Sequence, residues 1–137
     1  MAKTRIGSNA QFSSAGKHLN IIGDYCYAYS GEITSTTAAQ TLLEFSTGKQ
    51  MIIGTLQING PVDDDTPTVG ATSASQVFLN GIKLGIIKTD TKDEDQPGTE
   101  RWKLLLPPLS TLKVTMVSDN NEADRYASMS FVGRVYA

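Results

Sequence analysis

From Gly23 to the C-terminus, apolar side chains recur at every second position in short runs, and a turn signal closes each run. Such alternation marks half-buried strands. A helix needs apolar residues every three to four positions over ten or more residues. Residues 24–34 place Tyr25, Tyr27, Tyr29 and Ile33 on one face, and residues 41–46 set Leu43 and Phe45 against Leu42 and Glu44. Residues 50–59 carry Ile52, Leu56 and Ile58 on one side, and Asn59-Gly60-Pro61 is expected to end that run. Asn80-Gly81 lies between the apolar runs 75–80 and 82–89. It predicts a hairpin, because a type I′ turn needs positive φ at both central residues. Residues 100–106 alternate Trp102, Leu104 and Leu106 until Pro107-Pro108, which cannot donate to a ladder. Residues 111–118 alternate Leu112, Val114 and Met116. The last run, 126–136, sets Met129, Phe131 and Val135 against Ser128, Ser130 and Arg134. Residues 35–43 leave room for a short helical turn. The expected fold is all-β: an antiparallel two-sheet sandwich of about eight strands with jelly-roll topology.

The remaining residues are organised differently. Residues 1–22 are small and polar with few apolar anchors, and they read as an extended N-terminal arm before a sandwich domain at 23–137. An arm of this kind, alone in solution, is expected to be disordered unless its own body or a neighbouring subunit holds it. Its candidate assembly contacts are Lys3, Arg5, Ile6, Phe12, Lys17, His18 and Leu19. No internal repeat or linker divides the rest of the 137 residues.

Composition narrows the function. The 15 Thr and 12 Ser make a fifth of the chain hydroxylated, which suits strand surfaces and wet contacts. Charged residues are 19% and the net charge is −2, too balanced for a disordered chain. Charge is uneven: residues 61–100 hold eight acidic and three basic side chains, against three and five in residues 101–137. Acidic loops of that kind keep a β-protein soluble, or meet basic ends of another subunit. No basic cluster supports direct nucleic-acid binding, and no apolar run approaches a membrane span. The N-terminus has no apolar stretch of a signal peptide.

Chemistry has few places to reside. Cys26 and His18 are the only members of their types, so a nucleophile–base pair lacks support and no disulfide forms within one chain. Cys26 reads as a small packed residue between two tyrosines. Asp63-Asp64-Asp65, Asp93-Glu94-Asp95 and the acids between Asp119 and Asp124 offer oxygen ligands suited to Ca²⁺, but none has EF-hand spacing, and they read as solvated loops. Glu32 and Glu44, placed on expected strands, are the only better candidates for a carboxyl whose pKa burial could raise. The expectation is no catalytic, cofactor or metal residues, and no enzyme. Aromatic residues give a further possibility: Trp102 and Tyr126, or the three alternating tyrosines, as a platform for a sugar or for another protein surface.

The succession VFLNGIKLGII (77–87), RWKLLLPPLSTLKVTMVSDN (101–120) and YASMSFVGRVYA (126–137) resembles small single-jelly-roll virion proteins of bacteriophages. In that group a strand ends at a Pro-containing turn, the next runs into an Asn/Asp-rich loop, and the last closes the chain. The resemblance implies a head decoration (cement) protein that oligomerises, as a trimer, and binds or stabilises the capsid shell. Its implied partners are its own copies and the major capsid protein or other virion proteins, and its implied location is the virion, assembled in the host cytoplasm. A small capsid subunit, or a carbohydrate- or receptor-binding jelly-roll module, is the alternative. The group has no catalytic residues to carry over.

Overall fold

The computed structural model describes residues 19–63, 71–91, 99–119 and 125–136. Within them the chain is all-β, with no helix and ten strands. These are β1 (Asn20–Ile22), β2 (Tyr25–Tyr29), β3 (Ile33–Thr34), β4 (Gln40–Ser46), β5 (Met51–Asp63), β6 (Thr72–Leu79), β7 (Ile82–Asp90), β8 (Thr99–Leu106), β9 (Thr111–Ser118) and β10 (Arg125–Tyr136). They form two antiparallel sheets: a four-stranded one in the order β4-β9-β6-β7, and a six-stranded one in the order β1-β2-β10-β5-β8, with β3 also paired to β10.

Apart from the β6–β7 hairpin, every step between successive strands from β4 to β10 crosses from one sheet to the other. Inward side chains of the two sheets therefore meet in one shared core. It is built on Phe131, Met129, Leu56 and Ile58 from the six-stranded sheet and Leu43, Phe45, Val77, Leu112 and Val114 from the other. The Phe45 and Phe131 rings bridge the sheets at 5.4 Å between centroids. Room for the Phe131 ring comes from Gly54, where a Cβ would lie 2.5 Å from Phe131 Cζ. Gly54 pairs directly with Gly133 across β5 and β10.

The hairpin expectation holds in detail. Asn80 and Gly81 have φ of 52° and 82°, the left-handed pair that a type I′ turn demands. The Asn80 side chain also accepts a bond from the Thr111 N–H at 2.9 Å, which fastens the turn to β9. β8 ends at Leu106, immediately before Pro107-Pro108.

Four sequence expectations are revised. The 24–34 run splits into β2 and β3, because Gly31 takes a positive φ of 68° and breaks the ladder. The 35–43 stretch forms no helical turn, and Gln40 already begins a strand. Asn59-Gly60-Pro61 does not end β5, which continues to Asp63. The register with β10 shifts there, with Ser128 opposite Asn59 and Tyr126 opposite Val62. The two residues between on β5 face one on β10, so Gly60-Pro61 forms a bulge where a missing N–H is tolerated. Finally, Asn20–Ile22, counted above with the arm, form an edge strand against β2.

Candidate interface on the six-stranded sheet

Strand pairing aligns the outward residues of the six-stranded sheet into rows. One row crosses five strands as Ile22, Tyr25, Arg134, Ile53 and Leu105. The next runs Asn20, Tyr27, Val132, Thr55 and Lys103. A third runs Tyr29, Ser130, Gln57 and Arg101. Beside the first, Tyr136 pairs with Met51.

These positions are outward because their strand neighbours fill the core. In β2, Cys26 and Ala28 are buried between the three tyrosines, and in β10, Phe131 and Val135 are buried on either side of the Val132–Arg134 segment. Period-2 geometry then leaves the alternate residues on the far face. Ile22, Tyr25, Tyr29, Leu105, Val132 and Tyr136 are each 41–67% exposed. Single exposed apolar residues are ordinary; a contiguous exposed set is the feature that distinguishes interaction surfaces.

Arg134 lies in the middle of the apolar row. Its Cζ is 5.7 Å from the Tyr25 ring centroid and 5.8 Å from that of Tyr136. Two ring faces hold the guanidinium at cation–π distance, worth roughly 0.5–1 kcal/mol at an exposed site. The Tyr27 and Tyr29 rings lie 5.0 Å apart. The three rows carry three cations, Arg134, Lys103 and Arg101, and no carboxylate. Aromatic residues and Arg together are the composition of interface hot spots.

The residues expected from sequence fall in several places. Leu19 is half-buried and packs against the core, while Lys3, Arg5, Ile6, Phe12, Lys17 and His18 lie outside the described residues. Trp102 and Tyr126 are not brought together. Trp102 points inward, packs against the core and covers Gly85 of the opposite sheet, where a Cβ would meet its ring at 2.6 Å. Tyr126 sits on the outer face of β10, opposite Thr34 and Val62. Glu32 is exposed in the break between β2 and β3, and Glu44 is exposed on β4.

Cys26 is buried, and burial pushes its thiol up to about 11, opposed by a backbone hydrogen bond at Gly133. A thiol so raised is a poor nucleophile at neutral pH. Among the described residues no group of three His, Cys, Asp or Glu side chains converges to hold a metal. No helix among them is long and apolar enough to cross a membrane. Most of the acidic runs (64–65, 93–95 and 122–124) lie outside the described residues.

The tyrosine row was legible as an amphipathic face. Its extension across β10, β5 and β8 was not, because alternation shows which face a residue takes but not which residues align across strands.

No protein-family model matches the chain, and no curated protein matches it. Solved structures align with the chain at low scores. The VP2 subviral particle of infectious bursal disease virus aligns with 80% of this chain and 29% of its own, at 13% identity and a TM-score of 0.40. The T13 particle of the same virus gives 82% and 31%, at 10% identity and 0.41. This chain thus spans less than a third of those viral chains. The EclA C-terminal domain, a sugar-binding protein, aligns over 82% of this chain and 81% of its own, at 10% identity and a TM-score of 0.36. Likenesses at this level carry no functional conclusion.

Proposed function

We propose that this chain is a virion structural protein, a phage-type head decoration protein that assembles with its own copies through the outer face of the six-stranded sheet. The observation that carries the reading is the row from Ile22 to Leu105, an aromatic and apolar surface left open to water around Arg134. An apolar face spread across five strands fits another protein surface, whereas small-ligand sites are concave.

Two further features support it. The order β2-β10-β5-β8 facing β4-β9-β6-β7 reads as two interlocked Greek keys, the winding of a jelly roll. One of the three segments that carry the phage resemblance, 126–137, contains nearly all of β10, which supplies Val132, Arg134 and Tyr136 to the face. In this reading the assembly is a trimer, residues 1–18 attach it to the major capsid protein, and the protein performs no catalysis.

Virus particles lacking this protein provide the test. Full-length protein should bind them and raise their resistance to heat. Deleting residues 2–18, which leaves every described strand in place, should abolish binding and leave the body folded. Failure of the full-length protein to bind contradicts the decoration role, and binding by the truncated protein contradicts the role of the arm.

A further inference from the structure

The opposite face of the molecule carries a second feature, independent of the assembly surface. On the outer side of the four-stranded sheet, Glu44, Lys113 and Phe78 align across β4, β9 and β6, with Thr115 and Gln76 paired in the adjoining register. Around the half-buried Phe78 ring lies an open depression of about 470 Å³. That volume lies within the ~300–1,000 Å³ range of small-molecule sites.

Its chemistry is specific. The exposed surface of the depression is mainly apolar, and Phe78 is the one aromatic side chain in its lining. Glu44, Gln76, Lys113 and Thr115 also line it, and none of these side chains has a hydrogen-bond or ion-pair partner among the described residues. The outward hydroxyls nearby differ: Ser46 and Thr111 already bond each other at 2.8 Å. The lining offers acceptors (Glu44), donors (Lys113) and groups that do both (Gln76, Thr115). Glu44 and Lys113 cancel in charge, so the site favours neither an anion nor a cation.

A neutral ligand with one apolar face and a periphery of groups that both donate and accept is a pyranose ring. We propose that this depression binds a neutral sugar, its ring stacked on Phe78 and its hydroxyls bonded to Glu44, Gln76, Lys113 and Thr115. Aromatic stacking excludes water from one sugar face, and the polar lining replaces hydroxyl–water bonds without burying an uncompensated charge.

The test is a titration of nitrogen-labelled full-length protein, followed by amide NMR shifts. The probes are the methyl glycosides of glucose, galactose, mannose and N-acetylglucosamine, with mannitol as a ringless polyol. At least one glycoside should give saturable shifts at residues 76–78 and 113–115, with a millimolar Kd. Phe78→Ala should weaken binding by about tenfold, while Phe78→Tyr retains it. Gln76→Ala, at a position with no internal bond to lose, should weaken it without unfolding the sheet. No saturable shift with any glycoside, equal shifts with mannitol, or undiminished binding by Phe78→Ala overturns the proposal. Assembly through the other sheet stays intact in all these variants, so the two readings fail separately.

Discussion

On the six-stranded sheet, the row from Ile22 to Leu105 crosses five strands with a single charged side chain, Arg134. On the four-stranded sheet, the row Glu44, Lys113, Phe78, Lys83 crosses four strands with a single apolar one. Both rows lie outside the same core and obey the same period of two. Folding needs only that the inner rows be apolar; it leaves the outer rows free. The contrast between these two rows is therefore not imposed by folding, and it is local: at the edge of the four-stranded sheet, β7 also exposes Ile82, Leu84 and Ile86.

The sharpest way to break that contrast is a charge at equivalent outward positions of the two sheets. Val132→Glu places a carboxylate in the middle of the aromatic face, and self-association should weaken about a hundredfold. Thr115→Glu, outward on the other sheet, should leave association unchanged. Sedimentation velocity on both variants reads the difference; equal effects would remove the distinction between the faces.

The next effect concerns the inner side of the six-stranded sheet. Gly54→Ala drives a methyl into the Phe131 ring and the Val132 carbonyl. Stability should fall by about 1–3 kcal/mol, measured by urea unfolding. An unchanged midpoint would show that the Gly54–Gly133 pair is not what makes room for that ring.

A smaller effect comes from Cys26, directly beneath the exposed tyrosines. Burial pushes its folded-state pKa up to about 11, above the ordinary thiol value of 9.0. Between those values the folded protein keeps the proton and the unfolded chain releases it, so stability contributed by the neutral thiol is present below pH 9 and lost as pH rises through 11. Cys26→Ala should show a shallower loss of stability over that interval than the wild-type chain. Identical slopes would mean that the thiol is not shielded in the native sheet.

The smallest effect lies in the turn joining β8 to β9. Leu109 has a φ of 56° and a side chain 76% exposed, so it bears left-handed strain without packing in return. Leu109→Gly should stabilise by about 0.5 kcal/mol, since relief of ~1–2 kcal/mol of strain outweighs glycine's extra chain entropy. A destabilised variant would show that Leu109 makes a contact worth more than its strain.

Much of the fold was legible from side-chain alternation alone. Leu112 to Met116 and Met129 to Val135 each showed their buried face, and Asn80-Gly81 showed its turn; in β2 the alternation was visible, but the side it buries is Cys26 and Ala28, and Ile33 packs on the core apart from the exposed tyrosines. What stayed hidden depends on pairing. Gly60-Pro61 looked like an end because proline lacks an N–H; only register with Tyr126 and Ser128 turns it into a bulge inside a longer strand. Trp102 and Tyr126 looked like one platform because both are large aromatics, but β5 separates their strands and they take opposite faces. The Phe78 depression was missed for the same reason: its lining comes from three strands distant in sequence.

Sedimentation equilibrium of the full-length chain over a wide concentration range tests the central claim most directly. A mass of three times the 14.7 kDa monomer is expected, reverting to 14.7 kDa in Val132→Glu. A wild-type mass of 14.7 kDa at every concentration would contradict the assembly face.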